Sequence, residues 1–475
     1  MFGVEDLDRE AIYRRLPIAL QQVACSIVGW RTERTRYGQA FHQSFTDAVS
    51  RTYWSTDEVA AFRDGRLASF VRGCGETYGF YRERFRDAGV DPSEIRSLND
   101  LVSLPILTKD EAQNWLATID LPRGGSRETR MVHTSGTTGG ALRFPVTMAA
   151  IREQWALWWR YRSWHGIRKG TWCALLAGRS VVPARQARPP FWRVNYPGRQ
   201  VLFSGYHMSP SNLEAYVDEL RRRRPPWLHG YPSLLALLAS HVVDSGADLG
   251  YQVRWVTTGA ENLLPQQAAA IERAFGVQPI QHYGMAEGVA NISQCELGCL
   301  HVDEDFAAVE FVPVGQDGIH RIVGTNFTNA ATPLLRYDTQ DLAVLRDAAS
   351  CPCGRPGRIV ERIDGRLEDY VVLRNGTRIG RMDHIFKDMT NIREAQIRQA
   401  RPGEMTIRVV RGRDYGEADE RALLRETVKR VGDDMDVSVE YVEALPRSST
   451  GKLRFVVSEL PDAAIDPAPA APART

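Results

Sequence analysis

Residues 133 to 147 read HTSGTTGGALRFPVT, with Thr134, Ser135, Gly136, Thr137, Thr138 and Gly139 in succession between two apolar, β-like stretches. Glycines let backbone N–H groups converge on one point and hydroxyls add donors, so such a loop suits a polyphosphate. The bland alternative is a flexible hairpin tip. No lysine follows the glycines as in a Walker A loop, so a phosphate site here needs its cation from elsewhere. LPRSSTGKLRF, near the C-terminus, carries Lys452 after a Ser-Ser-Thr-Gly turn. Taken alone, that is a solvated turn lysine.

Three further stretches have chemistry to offer. QHYGMAEG ends a β-like run on Glu287. A carboxylate there is a natural Mg²⁺ ligand when substrate phosphates supply the other oxygens. LLRYDTQDLAVL carries Asp341, suited to a ribose diol, and RIDGRLEDYVVLRNGTRIG sets Arg366 before the acids Glu368 and Asp369. Each is weak alone; five in this order make a strong signal. Two short clusters, SQCELGCLHVDED and CPCGRPG, hold Cys295, Cys299, His301, Cys351 and Cys353. Two separated pairs of soft ligands suit a structural zinc knuckle, since tetrahedral Zn²⁺ takes four N/S donors. Cys295, Cys351 and Cys353 are the firmer three, with Cys299 or His301 as the fourth. Reduced, unligated thiols are the competing reading.

The elements that must position these residues fall into three parts. Residues 1–130 read mostly as helices, one of them running from a cap-like Ser55 to Gly89. From about 130 to 360, β-branched runs such as YQVRWVTTG alternate with helix-like ones such as LPQQAAAIERAFG, which predicts an α/β fold with mostly parallel sheets. Near residue 362 the pattern restarts as a hairpin, a strand, a helix and a strand, a small α+β unit of about 100 residues. The expected division is a large domain over 1–364, a small one over 365–460 and a disordered Pro/Ala tail over 461–475.

Bulk properties exclude several classes. In 475 residues, 60 lysines and arginines nearly balance 58 acids, leaving a net charge of +2, so no global basic field marks a nucleic-acid binder. The apolar stretches fall short of the roughly 18–20 residues that span a bilayer. The acidic start lacks a secretory core, which predicts a cytoplasmic protein. Seven cysteines, an odd count, argue against a complete disulfide framework.

The order of motifs resembles the adenylate-forming superfamily of acyl-CoA ligases, peptide-synthetase adenylation domains and luciferases. LVSLPILTKDEAQ, SGYHMSPSNLEAYV, LHGYPSLLALLA and RMDHIFKDMTNIREAQIRQ are similar to its phenylacetate–CoA ligase-like branch, with CapK-type proteins and deazaflavin-adenylylating enzymes as kin. The likeness covers about residues 15 to 460.

It implies that Thr134–Gly139 hold phosphate, and that Tyr283 and Gly284 line an adenine pocket beside Gly259, Ala260 and Glu261. Glu287 binds Mg²⁺, Asp341 the ribose, Arg366 sits at the junction, Glu368 is the hinge and Lys452 is the catalytic lysine. Three positions depart from the family pattern: Ala286 replaces a hydroxyl residue, Gln340 a glycine, and Glu368–Asp369 a pair of aspartates.

The activity so implied is ATP-dependent conversion of a carboxylic acid to an acyl-adenylate, then transfer to CoA or an amine. ATP and Mg²⁺ are the cofactors, with a structural zinc and CoA as further ones. One alternative leaves AMP on a hydroxyl group of a small molecule. Another is a non-catalytic nucleotide-binding module, although such a relic has no physical reason to keep Glu287, Asp341 and Lys452 together. Weaker features have bland readings that outweigh functional ones: the tryptophan-rich EQWALWWRYRSWHG as core over the wall of an aromatic-acid pocket, His207 as a structural histidine over an acyl-pocket gate, and RRRRPP as a solvated helix end over a contact to CoA phosphates.

Overall fold

The computed structural model describes residues 12–118, 129–133, 142–177, 181–183, 185–209, 211–314, 318–346, 350–366, 371–374, 378–379, 382–386, 389, 391–447 and 453–460. Thr134–Gly139, Glu368 and Lys452 lie outside the described residues, as does the 461–475 tail.

The N-terminal part is helical, through Ile18–Arg36, Gln39–Arg51, Thr56–Thr77, Gly79–Ala88 and Lys109–Thr118. The helix expected from Ser55 to Gly89 is two helices broken at Tyr78, which adopts an extended ψ of 121°. Both predicted ends hold. Ser55 and Glu58 form a reciprocal capping box, and Gly89 closes the second helix with a left-handed φ of 64°.

The strands Thr129–His133 and Arg143–Thr147 pair antiparallel, so the glycine-rich segment joins the two arms of a hairpin. Helix Met148–Trp164 follows directly, capped by Thr147, whose hydroxyl accepts from the Ala150 N–H.

Two large sheets come next. The first runs Trp192–Asn195, Gln200–Ser204, Cys173–Ala177, Trp227–Gly230, Trp255–Thr258, Pro279–Ile280 in spatial order. It is parallel except at the edge strand Trp192–Asn195, as the strand–helix alternation predicts. Helices Leu213–Arg223, Pro232–Ser245 and Pro265–Phe275 pack their leucines and alanines on it.

The second sheet has seven strands and is antiparallel throughout. Its order is Ala307–Pro313, Ile319–Asn326, Tyr337–Leu345, Ile359–Arg366, Leu300–Val302, Asn291–Gln294, His282–Gly284. Of these two sheets, only the first has parallel strand pairing. After residue 281 short loops replace the crossover helices, and strands joined by short loops can pair only antiparallel.

The C-terminal part has the predicted strand Glu404–Arg411, helix Glu417–Val431 and strand Asp436–Tyr441. Ile392–Arg401 and Val456–Ser458 complete a four-stranded mixed sheet. Its apolar core draws only on residues between Val371 and Val456. Among the described residues, no helix is long and apolar enough to cross a membrane.

Candidate active site

A cleft of about 1740 Å³ collects most of the described residues that the sequence predicts for the nucleotide site. Ala260, Glu261, Tyr283, Gly284, Glu287 and Asp341 all line it. Gly259 stands immediately before them, at the C-terminal end of the parallel strand Trp255–Thr258, the end where ligands of open α/β sheets bind.

Tyr283 and Gly284 belong to the edge strand of the antiparallel sheet, and Glu287 lies in the turn that follows it. A side chain at Gly284 would meet the Asn291 amide and the His282 ring at 2.8 Å, so the backbone must stay bare. Tyr283 donates its hydroxyl to Asp341 Oδ2 at 2.7 Å. Burial, reinforced by that carboxylate, raises the phenol well above its usual pKa, so it stays a donor.

Asp341 is reached through Gln340, which holds a left-handed φ of 62° where the family pattern has glycine. Asp338 tolerates that strain by accepting the Gln340 N–H at 2.9 Å, and Thr339 Oγ1 accepts the Asp341 N–H at 3.1 Å. Asp341 stands opposite Arg366 in the strand register.

Glu261 joins the two parts of the molecule. Its carboxylate accepts the Ser233 N–H at 3.1 Å and, from the C-terminal part, the Leu453 N–H at 3.0 Å. Leu453, Arg454 and Phe455 line the same cleft. Arg447 donates to Ser233 Oγ at 2.8 Å and pairs with Glu394. Burial raises the pKa of both Glu261 and Glu394, with Arg447 opposing the rise in each. Ser233, Glu394 and Arg447 escaped the sequence reading, because their significance lies in a contact between segments some 160 to 210 residues apart.

The other wall is aromatic. Trp155, Trp158 and Trp159, from the helix read above as core, line the cleft. Trp158 donates to Asn291 Oδ1 at 3.0 Å, and the His282 ring stacks on Tyr161 at 4.8 Å. Burial, then the charge of Arg162, lowers the His282 pKa to about 3, so the ring is neutral. His207 has the structural role: Ser204 Oγ lies 2.7 Å from its Nδ1 and Phe191 stacks on it. The arginine run 221–224 ends a helix, with Arg222 and Arg223 paired to the buried Glu219.

Away from the cleft, Cys295, His301, Cys351 and Cys353 bring one ligand atom each to within 4.8 Å of one another. The hairpin Asn291–Gln294/Leu300–Val302 carries the first two, and pairing of Leu300–Val302 with Ile359–Arg366 brings in the others. The Cys295 and Cys351 sulfurs are 3.8 Å apart, too far for a disulfide but near the roughly 3.8 Å edge of a tetrahedron with Zn–S bonds of about 2.3 Å. His301 Nδ1 faces the Pro356 carbonyl at 3.2 Å, which leaves Nε2 toward the thiols. Cys299 packs against the same cluster but is not one of the four; Arg346 donates to its sulfur at 3.2 Å.

Several known proteins resemble this chain. Residues 371–459 match the family model of the CapK C-terminal domain. The protein CapK of Staphylococcus aureus is 24% identical over 453 residues, which is 94% of this chain and 99% of that one. A phenylacetate–coenzyme A ligase of Thermus thermophilus is 27% identical over 348 residues, 67% of this chain and 72% of that one. A 2-hydroxyisobutyryl-CoA ligase, solved in the postadenylation state with 2-HIB-AMP, superposes with a TM-score of 0.66 at 21% identity, over 86% of this chain and 91% of that one.

In fold, and in its similarity to these relatives, the chain resembles adenylate-forming proteins. Among such proteins, those it is similar to include CapK and the phenylacetate–CoA ligases.

Proposed function

We propose that this chain is an AMP-forming ligase that activates an organic carboxylate with ATP and passes the acyl group to CoA or an amine. One observation carries the reading. Glu261, Tyr283, Glu287 and Asp341 line a single cleft with Leu453, the residue directly after Lys452, and Leu453 is hydrogen-bonded to Glu261.

A carboxylate is a poor electrophile, because attack would add charge to an anion. In the proposed reaction a carboxylate oxygen attacks the α-phosphorus of ATP and pyrophosphate departs. A thiol or amine then displaces AMP from the acyl carbon. Both first-step reactants are anionic, so their repulsion must be offset.

Asp341, steadied by the Tyr283 hydroxyl, accepts from the ribose hydroxyls, and Tyr283 and Gly284 flank the adenine. Glu287 would hold Mg²⁺, which offsets phosphate charge when bound. The Lys452 ammonium bridges carboxylate and phosphate, and Thr134–Gly139 wrap the leaving phosphates. Arg366 and Glu368 stand where the small domain, 365–460, turns on the large one, 1–364. That turn exposes the acyl-adenylate to its acceptor. The three thiols and imidazole of Cys295, Cys351, Cys353 and His301 fit a structural Zn²⁺, a closed set with no position for substrate. A cytoplasmic setting, where ATP and CoA are supplied, suits this chemistry.

Pyrophosphate exchange into ATP, run with a panel of carboxylic acids, tests the reading. Exchange that depends on an added acid is expected. A stable AMP adduct on a hydroxyl compound, with no acid dependence, would replace it by adenylyl transfer to a hydroxyl.

A further inference from the structure

Helix Met148–Trp164 presents two arginines two residues apart, and their surroundings differ. Arg160 is neutralised by Asp303 and Asp305 at 2.7 and 2.8 Å. Arg162 is as deeply placed, 5% exposed, yet among the described residues its Nε, sealed from solvent, has no hydrogen-bond partner and its guanidinium has no carboxylate in ion-pair range. Its guanidinium instead lies over four rings: Trp159 at 5.1 Å, Trp227 at 5.2 Å, Tyr161 at 5.4 Å and Trp155 at 5.9 Å.

Aromatic faces attract a cation but offer no acceptor for its five N–H groups. A buried charge without an opposite partner is costly to keep. Arg162 lines the cleft, as does Trp159 one helical turn earlier, whose indole N–H is likewise buried with no acceptor among the described residues. Other charge nearby adds to the imbalance. Arg36 lies 4.3 Å from the Trp155 ring centroid, and the Glu33 carboxylate is already paired with Lys169. This end of the cleft therefore has donors in excess, set in a wall of flat rings.

Resting on the ligase reading above, we propose that Arg162, with the Trp159 indole, binds an oxygen anion on the acyl part of the substrate, remote from the carboxylate that is activated. The acid is then aromatic and carries a second anionic oxygen group. Tryptophan faces pack its ring, and the guanidinium takes the second group in a charge-assisted pair.

The test compares phenylacetate with 3- and 4-carboxyphenylacetate, in pyrophosphate exchange and by isothermal titration calorimetry. With the intact protein, one of the diacids is expected to show a KM and Kd about 10- to 100-fold below phenylacetate, the range of a charge-assisted hydrogen bond. In Arg162→Met the ratio between the acids should collapse toward one. Arg162→Lys should retain part of it, and Trp159→Phe, which removes only the N–H donor side, should lose less. Circular dichroism checks that each variant folds.

Equal affinity for all three acids in the intact protein, or a ratio that survives Arg162→Met, overturns the inference. Exchange with phenylacetate but no benefit from the second carboxylate would overturn it and leave the ligase reading standing. Exchange with no acid at all would end the ligase reading. Calorimetry would then still decide whether Arg162 selects the diacid.

Discussion

Tyr283 and Asp341 share a 2.7 Å hydrogen bond although their strands are four steps apart in the antiparallel sheet. At about 4.8 Å per strand, a flat sheet would hold those strands roughly 19 Å apart. The sheet must therefore curl until an edge strand faces an inner one, and the curl is what gathers the residues proposed to hold the nucleotide. Tyr283→Phe keeps the ring and removes the donor, freeing Asp341 to leave its place. The expected result is an ATP KM raised about three- to tenfold, with Asp341→Asn costing more. An unchanged ATP KM in Tyr283→Phe would remove that pair from the binding scheme.

The Glu261 bridge predicts a pH dependence. Its folded-state pKa lies above the ordinary 4.5, chiefly through burial. The folded chain thus binds this proton more tightly than the unfolded chain. The cost of ionisation is fully present above the folded pKa and vanishes as pH falls below about 4.5. Glu261→Gln has no such titration, so its unfolding free energy relative to the parent should be most favourable at pH 7–8 and should decline toward pH 4.5. Urea unfolding of both proteins across that range measures the slope, and a flat difference contradicts it.

Arg160 holds the helix Met148–Trp164 to the segment Asp303–Asp305. Asp303 has a raised pKa, because burial outweighs its share of Arg160. Asp305 has a lowered one: burial opposes ionisation, but both Arg160 and Arg51 favour it. Arg160→Met would leave the buried Asp303 without its cation and Asp305 with Arg51 alone, and should destabilise the fold by about 3–5 kcal/mol in chemical denaturation. Adding Asp303→Asn should recover part of the loss. A cost below 1 kcal/mol would mean that the network is solvated in solution.

Elemental analysis of the purified protein should find one zinc per chain. His301→Ala or Cys351→Ser should lose the metal and lower the Tm, while Cys299→Ser keeps both. Metal-free protein of unchanged Tm would identify the four residues as reduced thiols and a plain histidine.

Lys452→Ala should slow the adenylation step by ~10²–10³ while ATP affinity and fold remain. Single-turnover formation of acyl-AMP reads that step directly. An undiminished rate would deprive the lysine of its role.

Sequence legibility followed the range of the interactions involved. The capping box at Ser55, the glycine stop at Gly89 and the strand–helix alternation of the parallel sheet are local patterns, and they were readable. The break at Tyr78 was not, since GETYGF is still compatible with a helix and tertiary contacts decide: Tyr78 donates its hydroxyl to the Ala330 carbonyl at 2.5 Å. His301 and Cys299 are equally good donors on paper. Only strand pairing, which turns His301 toward Cys353 and leaves Cys299 beside Arg346, separates them.

By itself, then, the sequence determined the kinds of residue available to the chemistry, the order of its motifs and the class of fold, because these depend on composition and short-range spacing. The tertiary structure alone decided that Tyr283 meets Asp341, that Glu261 meets Leu453 and that Arg162 has aromatic rings around it in place of an acid. Each of those contacts depends on how sheets curl and parts pack, and a side chain's charge matters only through the partners that packing brings to it.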